Sequence, residues 1–176
     1  KDINNDGKIT ADDRVRRTKN AEPRFVGGFN VNLRYKNFDL MALFQGALGA
    51  ETYIQTWSGT VGNYLKDFYD KRWTTENPNV EHPRAYEREN QYWISNWNTY
   101  FIRSCDYLRL KNMELGYNIT LPALKNAGIS NARIYVNATN IFTIDKLKVA
   151  DPEADSKDIT SYPQRRVVNF GVSLTF

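Results

Sequence analysis

Asp2, Asn4, Asp6 and Asp13, with Gly7 among them, fall within the stretch DINNDGKITADD at residues 2–13. Oxygen donors at alternate positions, followed by a glycine, suit the capture of a hard divalent cation. Calcium takes about six to eight oxygens, and a twelve-residue loop delivers them from its first, third, fifth, seventh, ninth and last positions, with glycine sixth for a sharp turn. Asp2, Asn4 and Asp6 fill the first three of those positions, Gly7 the turn, the Lys8 carbonyl the seventh, Thr10 the ninth and Asp13 the last. The expected ion is calcium, held by Asp2, Asn4, Asp6, Lys8 and Asp13. Its role is structural, since it cross-links residues that otherwise bear the entropy of ordering alone. Two features depart from the pattern: the last position carries Asp where a longer, bidentate Glu is usual, and no helix precedes the loop. The metal-free alternative is an Asx-rich turn held by its own side-chain to backbone bonds.

Little else in the sequence is arranged for chemistry. Cys105 and His82, the one cysteine and one histidine, would have to meet across the fold to make a zinc site or a thiolate–imidazole pair, and their spacing gives no support. Glu87 and Glu89 lie in a charged stretch, and without a partner across a cleft they make no glycosidase pair. Trp57, Trp73, Trp93 and Trp97 are candidates for stacking on sugar rings, with packing of a long loop as the plainer role. No catalytic residues are expected; the protein is read as not an enzyme.

The elements that must position these residues follow from periodicity. In FNVNLRY, Phe29, Val31, Leu33 and Tyr35 point one way and Asn30, Asn32 and Arg34 the other, which is a strand with one apolar and one polar face. Lys36-Asn37 turns the chain, and FDLMALFQG returns with Phe38, Leu40, Ala42 and Phe44 on the apolar side. Residues 51–104 break the alternation and read as a long, ordered loop. Within it Val61, Leu65, Phe68 and Trp73 are spaced for a short amphipathic helix. A third strand covers CDYLRLKNMELGYNI, where Leu108 and Leu110 share one parity and Met113, Leu115 and Tyr117 the other. That phase slip near Lys111-Asn112 predicts a β-bulge. TLPALKNAGISN reads as a compact connection with one helical turn ended by Gly128. ARIYVNATNIFT is the fourth strand, residues 145–164 a second polar loop, and RRVVNFGVSLTF the fifth strand.

Alternation is common to soluble sandwiches and membrane barrels. The strands here run to about ten residues or more, the length a tilted membrane crossing needs, against about five or six in soluble sheets. Aromatics gather near strand ends, at Tyr35, Phe38, Phe44, Tyr117, Phe142 and Phe176, as interfacial girdles require. Short turns alternate with long loops, the division seen between the periplasmic and extracellular ends of outer-membrane barrels. On this reading 1–24, 51–104 and 145–164 lie outside the cell. About five antiparallel strands cannot close a barrel, and open edges in lipid leave backbone groups unsatisfied, so further strands are expected upstream. The densest apolar run, Leu40–Phe44, is far too short for a spanning helix. The net charge of +4 comes from 24 basic and 20 acidic residues scattered together, which gives no nucleic-acid stripe. The chain opens on Lys1 without a signal-peptide pattern and is read as a piece of a longer protein.

The blocks DINNDGKIT, FVGGFNVNLRYKNFDLMALFQG, RWTTENPN, YLRLKNMELGY, IYVNATNIFT, DPE and FGVSLTF, in that order, resemble the C-terminal end of the SusC/RagA family of TonB-dependent outer-membrane transporters. The resemblance implies a plugged barrel of about 22 strands, energised through TonB. It also implies a SusD-like surface lipoprotein as lid, and oligosaccharides or peptides as cargo. The N-terminal plug and remaining barrel are then absent from this chain. Phe170, Val172, Leu174 and Phe176 resemble the terminal signal read by the barrel-assembly machinery. The expectation is an all-β chain. Residues 1–24 form an extracellular calcium-type loop, and 25–176 form the closing strands of a multi-pass barrel in the outer membrane of a Gram-negative bacterium. The competing reading is a soluble, extracellular, calcium-stabilised β-sandwich that binds carbohydrate. A dockerin-like adhesion module is a third, weakened by the lack of a second loop. The first two differ in whether the faces Phe29/Val31/Leu33 and Phe170/Val172/Leu174 meet lipid or a second sheet.

Overall fold

The computed structural model describes residues 2–8, 10–54, 66–84, 99–154 and 162–176. Strands β1 (Phe25–Tyr35) and β2 (Phe38–Leu48) form a hairpin in unbroken register from Tyr35 opposite Phe38 to Phe25 opposite Leu48. Lys36 takes the left-handed φ that the minimal turn demands. Beyond Leu48 the chain adds a short two-stranded ribbon, β3 (Glu51–Tyr53) with β4 (Ile102–Ser104). The expected long loop thus contains a ladder of its own, too short to register as periodicity. Of the expected helix in this stretch the described residues include α1 (Lys66–Asp70), whose apolar anchor is the buried Phe68; Val61 and Leu65 lie outside the described residues.

Strand β5 (Tyr107–Ile119) pairs with β2, and the register moves from Leu43 opposite Asn112 to Phe44 opposite Leu110. Lys111 is the residue left over, so the bulge falls where the apolar parity changes. α2 (Pro122–Asn126) is the helical turn of the short connection, with Pro122 opening it and Gly128 at a φ of 79° beyond its end. β6 (Asn131–Thr139) follows and stops sooner than alternation suggests. The chain kinks at Asn140, with its φ of 52°, and resumes as β7 (Thr143–Asp145) along the far half of β5. The kink answers the bulge: Asn140 N–H donates to the Lys111 carbonyl and Leu110 N–H to the Phe142 carbonyl, so the ladder is completed around the extra residue. β8 (Val167–Thr175) closes the chain against β6.

The sheet runs β1-β2-β5-β6-β8 with every neighbouring pair antiparallel, and its two outermost strands are paired on one side only. Both short connections, 36–37 and 120–130, lie at one end, and the strand ends at Phe25, Leu48, Tyr107 and Val167, where the longer connections begin or end, lie at the other. One face carries Phe29, Leu33, Phe38, Ile134, Phe170 and Val172, all exposed, with Leu33 at 59 % and Phe170 at 85 %. No second sheet covers that face among the described residues. The sandwich reading required one, and the described residues supply none. The opposite face carries Asn32, Arg34, Asp39, Gln45, Arg109, Glu114, Arg133 and Asn137; of these Arg133 bonds Asp39 and Glu114, and Asn137 bonds Asn169 of β8. No helix of the described residues is long and apolar enough to cross a membrane, which says nothing of crossing by strands.

Candidate functional site

The opening loop turns its carboxylates onto its own backbone. Gly7 N–H donates to Asp2 Oδ2 at 2.9 Å, Asp6 N–H to Asn4 Oδ1 at 3.1 Å and Lys8 N–H to Asp6 Oδ1 at 2.8 Å. Asp13 reaches back to take the N–H groups of Ile3 at 2.6 Å and Thr10 at 2.7 Å, and the same residue ends a 3₁₀ turn (Ala11–Asp13) that Thr10 caps. Gly7 sits at a φ of 81°, which a side chain would strain. The N–H of Ile3, then that of Thr10, hold the Asp13 carboxyl below the usual carboxylate range. Asp2 Oδ1 is buried without a hydrogen-bond partner. Among the described residues no three acidic, His or Cys side chains converge as a metal centre. The donors of a calcium loop are present and one is unsatisfied, while the carboxylates are spread along the backbone. The free-turn alternative accounts for the bonds and leaves the orphaned oxygen.

The most densely bonded site is one that sequence reasoning missed. Arg109, 3 % exposed on the polar face of β5, donates from Nη2 to Asp151 Oδ1, from Nη1 to Glu153 Oε2 and from Nε to Thr143 Oγ1, at 2.7, 2.7 and 2.8 Å. Lys111 Nζ adds a bond of 2.7 Å to Glu153, and the Tyr107 hydroxyl donates to the other Glu153 oxygen at 2.8 Å. Gln164 N–H caps the remaining Asp151 oxygen at 3.0 Å. The loop between β7 and β8 is thereby latched to the wall on both its arms. Burial pushes the Asp151 carboxyl up, but Arg109 and the N–H groups of Gln164 and Glu153 outweigh it and leave it lowered. The signal available in sequence was three polar residues at alternate positions, Tyr107, Arg109 and Lys111, facing a segment reading Asp151-Pro152-Glu153.

Toward the end with short turns, Arg133 lies across Gly116 and joins three strands. It bonds Asp39 with two nitrogens and Glu114 Oε1 at 2.8 Å, while Asn118 adds a bond to Asp39 at 3.1 Å. A Cβ on Gly116 would stand 2.2 Å from Arg133 Nη2, so the glycine is what lets the guanidinium lie flat. In the long loop, His82 is 3 % exposed and uses both ring nitrogens, one with the Tyr100 hydroxyl at 2.6 Å and one with Asp67 at 3.2 Å. It therefore does not pair with Cys105, which is half-buried near Thr52 and whose thiol burial pushes up. Of the four tryptophans Trp73 is partly exposed at 37 %; Trp57, Trp93, Trp97, Glu87 and Glu89 lie outside the described residues.

No family model matches the chain. It is 31% identical to "TonB-dependent receptor P3" and 30% identical to "TonB-dependent receptor P26", both of Formosa agariphila, over 99% of its own length and 18% and 19% of theirs. Among solved structures it superposes on "Structure of the RagAB peptide transporter" with a TM-score of 0.75 at 25% identity, covering 96% of this chain and 19% of that one. A second, "Structure of the RagAB peptide importer in the 'closed-closed' state", gives a TM-score of 0.75 at 25% identity over the same shares. The chain therefore spans about a fifth of the length of the relatives it matches.

Proposed function

We propose that the chain, similar over nearly all its length to TonB-dependent receptors and to the RagAB transporter, is a SusC/RagA-like part of a large antiparallel β-barrel and forms wall and outer loops of an importer in a Gram-negative outer membrane. The observation that carries this is the two-faced sheet. One face presents uncovered Phe, Leu, Ile or Val on every long strand, the other two clusters of bonded charges and amides. Hydrocarbon accepts the first face and a water-filled or plugged lumen the second. The relatives are named as receptors and transporters, which fits a protein that is not an enzyme.

On this reading residues 1–24, 51–104 and 145–164 form the extracellular rim and 25–176 the strands and loops of the barrel portion. TonB acts through a plug supplied elsewhere in the longer protein. A SusD-like lipoprotein caps the rim, and the cargo is an oligosaccharide or a peptide. Calcium at Asp2, Asn4, Asp6, Asp13 and the Lys8 carbonyl would brace the rim. The orphaned Asp2 oxygen and the all-oxygen donor set favour a hard cation. When bound, the ion supplies charge and cross-linking; the residues themselves orient the loop through the Asp13 bonds to Ile3 and Thr10.

The test is uptake by cells making the full-length protein, with TonB intact or deleted, offered peptide and oligosaccharide mixtures as sole nutrients. Growth that depends on both the protein and TonB supports the importer. Growth indifferent to TonB overturns it.

A further inference from the structure

The side chains of β8 leave its register open. Val168, Phe170, Val172 and Leu174 lie on the apolar face and alternate with Asn169, Gly171 and Ser173 on the other. A slip of one residue against β6 would turn every side chain over, but a slip of two keeps both faces. A tight turn settles that choice for β1 and β2, where Lys36-Asn37 sets Tyr35 opposite Phe38. β6 and β8 have no such turn, because residues 140–166 separate Thr139 from its partner Val167.

Bonds from β5 stand where the turn would. Asn140 N–H donates to the Lys111 carbonyl, and Asn140 Nδ2 donates to the Arg165 carbonyl at 3.1 Å, two residues before β8 begins. Farther out, Arg109 holds Asp151 and Glu153, and both of these hold Gln164. Asp151 Oδ2 accepts the Gln164 N–H at 3.0 Å, and Glu153 Oε2 accepts from its side-chain amide. Lys111 Nζ donates to the Gln164 amide oxygen at 3.0 Å. A slip of two residues would carry Val167 about 7 Å along β6. Bonds made at Gln164 and Arg165, within three residues of Val167, would not survive it.

We propose that the Arg109 latch and the Asn140 amide together form a register lock for β8, giving a long connection the role that a two-residue turn has in a hairpin. Other contacts agree with the same register. Gly171 lies against the Tyr135 ring, where a Cβ would stand 2.2 Å from Tyr135 Cζ, so a slip that sets Asn169 or Ser173 opposite Tyr135 puts a side chain into that space. At the far end of β8 the Ser130 N–H and hydroxyl both donate to the Thr175 carbonyl, at 2.7 and 3.0 Å. Those contacts exist only once β8 has paired. The latch is built on β5 and on the loop that follows β7, whose ladder to β5 does not involve β8, so it fixes the point of entry beforehand. The inference rests on the pairing of β6 with β8 and not on the importer reading, which TonB-dependent growth tests separately.

The experiment is disulfide trapping in the full-length protein in outer membranes, with Cys105→Ser and a background free of other cysteines. Asn137→Cys with Asn169→Cys reports the observed register, since directly opposite residues lie within disulfide reach. Asn137→Cys with Val167→Cys reports a slip of two. After mild oxidation, linked peptides are measured by mass spectrometry in the folded, heat-modifiable fraction. With the lock intact the first pair should bridge and the second should not. Arg109→Met combined with Asn140→Gly should raise bridging of the second pair about tenfold, the weight of about one hydrogen bond, at the expense of the first. Asn140→Gly alone keeps the left-handed backbone and the charged latch; it should give a smaller rise in the same direction, and it carries the test where the double variant folds poorly. A second pair that stays unbridged in both variants overturns the lock. A first pair that fails to bridge with Arg109 and Asn140 in place overturns the register itself.

Discussion

Arg109 sets the largest expected effect of any single side chain. Its guanidinium and the carboxylates of Asp151 and Glu153 are 4, 6 and 11 % exposed, so the pair is desolvated. Removing one partner of such a pair costs about 3–5 kcal/mol, because the other charges stay buried without compensation. Arg109→Met should therefore free residues 146–154 to exchange amide hydrogens at least tenfold faster while leaving β1 and β2 unchanged; equal protection in the variant would show that the latch is ornamental. The same contact fixes a pH dependence. Asp151 is depressed in the folded state, so its contribution is present above the unfolded carboxylate pKa and is lost as pH falls through the folded one. Protection of the loop should be flat from about pH 7 to 5 and fall only below about pH 4. The opening loop carries its own prediction. Asp13→Ala removes the carboxylate that accepts from the Ile3 and Thr10 N–H groups and, on the proposed site, the last calcium ligand. It should weaken calcium binding at least tenfold in titrations at millimolar ion, and protection of residues 2–13 that ignores both EDTA and the substitution would leave only an Asx-rich turn.

At the scale of elements, the alternation of β1, β2, β5 and β8 was legible because each strand keeps apolar side chains on one face and polar ones on the other. Phe29 and Asn30 differ as hydrocarbon and water differ. The slip at Lys111 was legible for the same reason, since an inserted residue reverses every later side chain and Met113 betrays it. What was not legible is what two distant segments make together. Asp151 and Glu153 read only as part of a polar loop until the fold brings Arg109 to them, and β3–β4 is too short for a period. β6 was read through Thr143 because nothing in its own residues shows that Asn140 must kink to match a bulge on its neighbour. The two faces predict opposite responses to one substitution. Leu33→Arg puts a charge on the lipid side of β1 and should cost about 2–4 kcal/mol near the bilayer midplane, seen as a fall in the yield of folded, heat-modifiable barrel. Asn32→Arg, one residue away, should fold as wild type does. Equal damage from both would mean that the faces are not distinguished by lipid.

For the whole molecule, the proposed closed barrel in hydrocarbon accounts together for the open edges of β1 and β8 and the uncovered apolar face. Each unpaired backbone group in lipid costs several kcal/mol, so neither edge persists without a neighbour. The match of nearly the whole chain to a fifth of a peptide-transporter chain supplies that neighbour in kind. The Arg133 cluster and the Arg109 latch then sit at opposite ends of one lumen wall, the first stapling strands and the second holding the rim. The most direct measurement is collision of spin labels placed singly, in the full-length protein in lipid vesicles, at Phe29, Leu33, Phe170 and Val172 and at Asn30, Asn32, Asn169 and Ser173. The first set should collide with oxygen dissolved in the bilayer and the second with a water-soluble nickel chelate or with protein, alternating residue by residue. Labels at Phe29, Leu33, Phe170 and Val172 that meet neither oxygen nor bilayer, being packed against protein, would contradict the account.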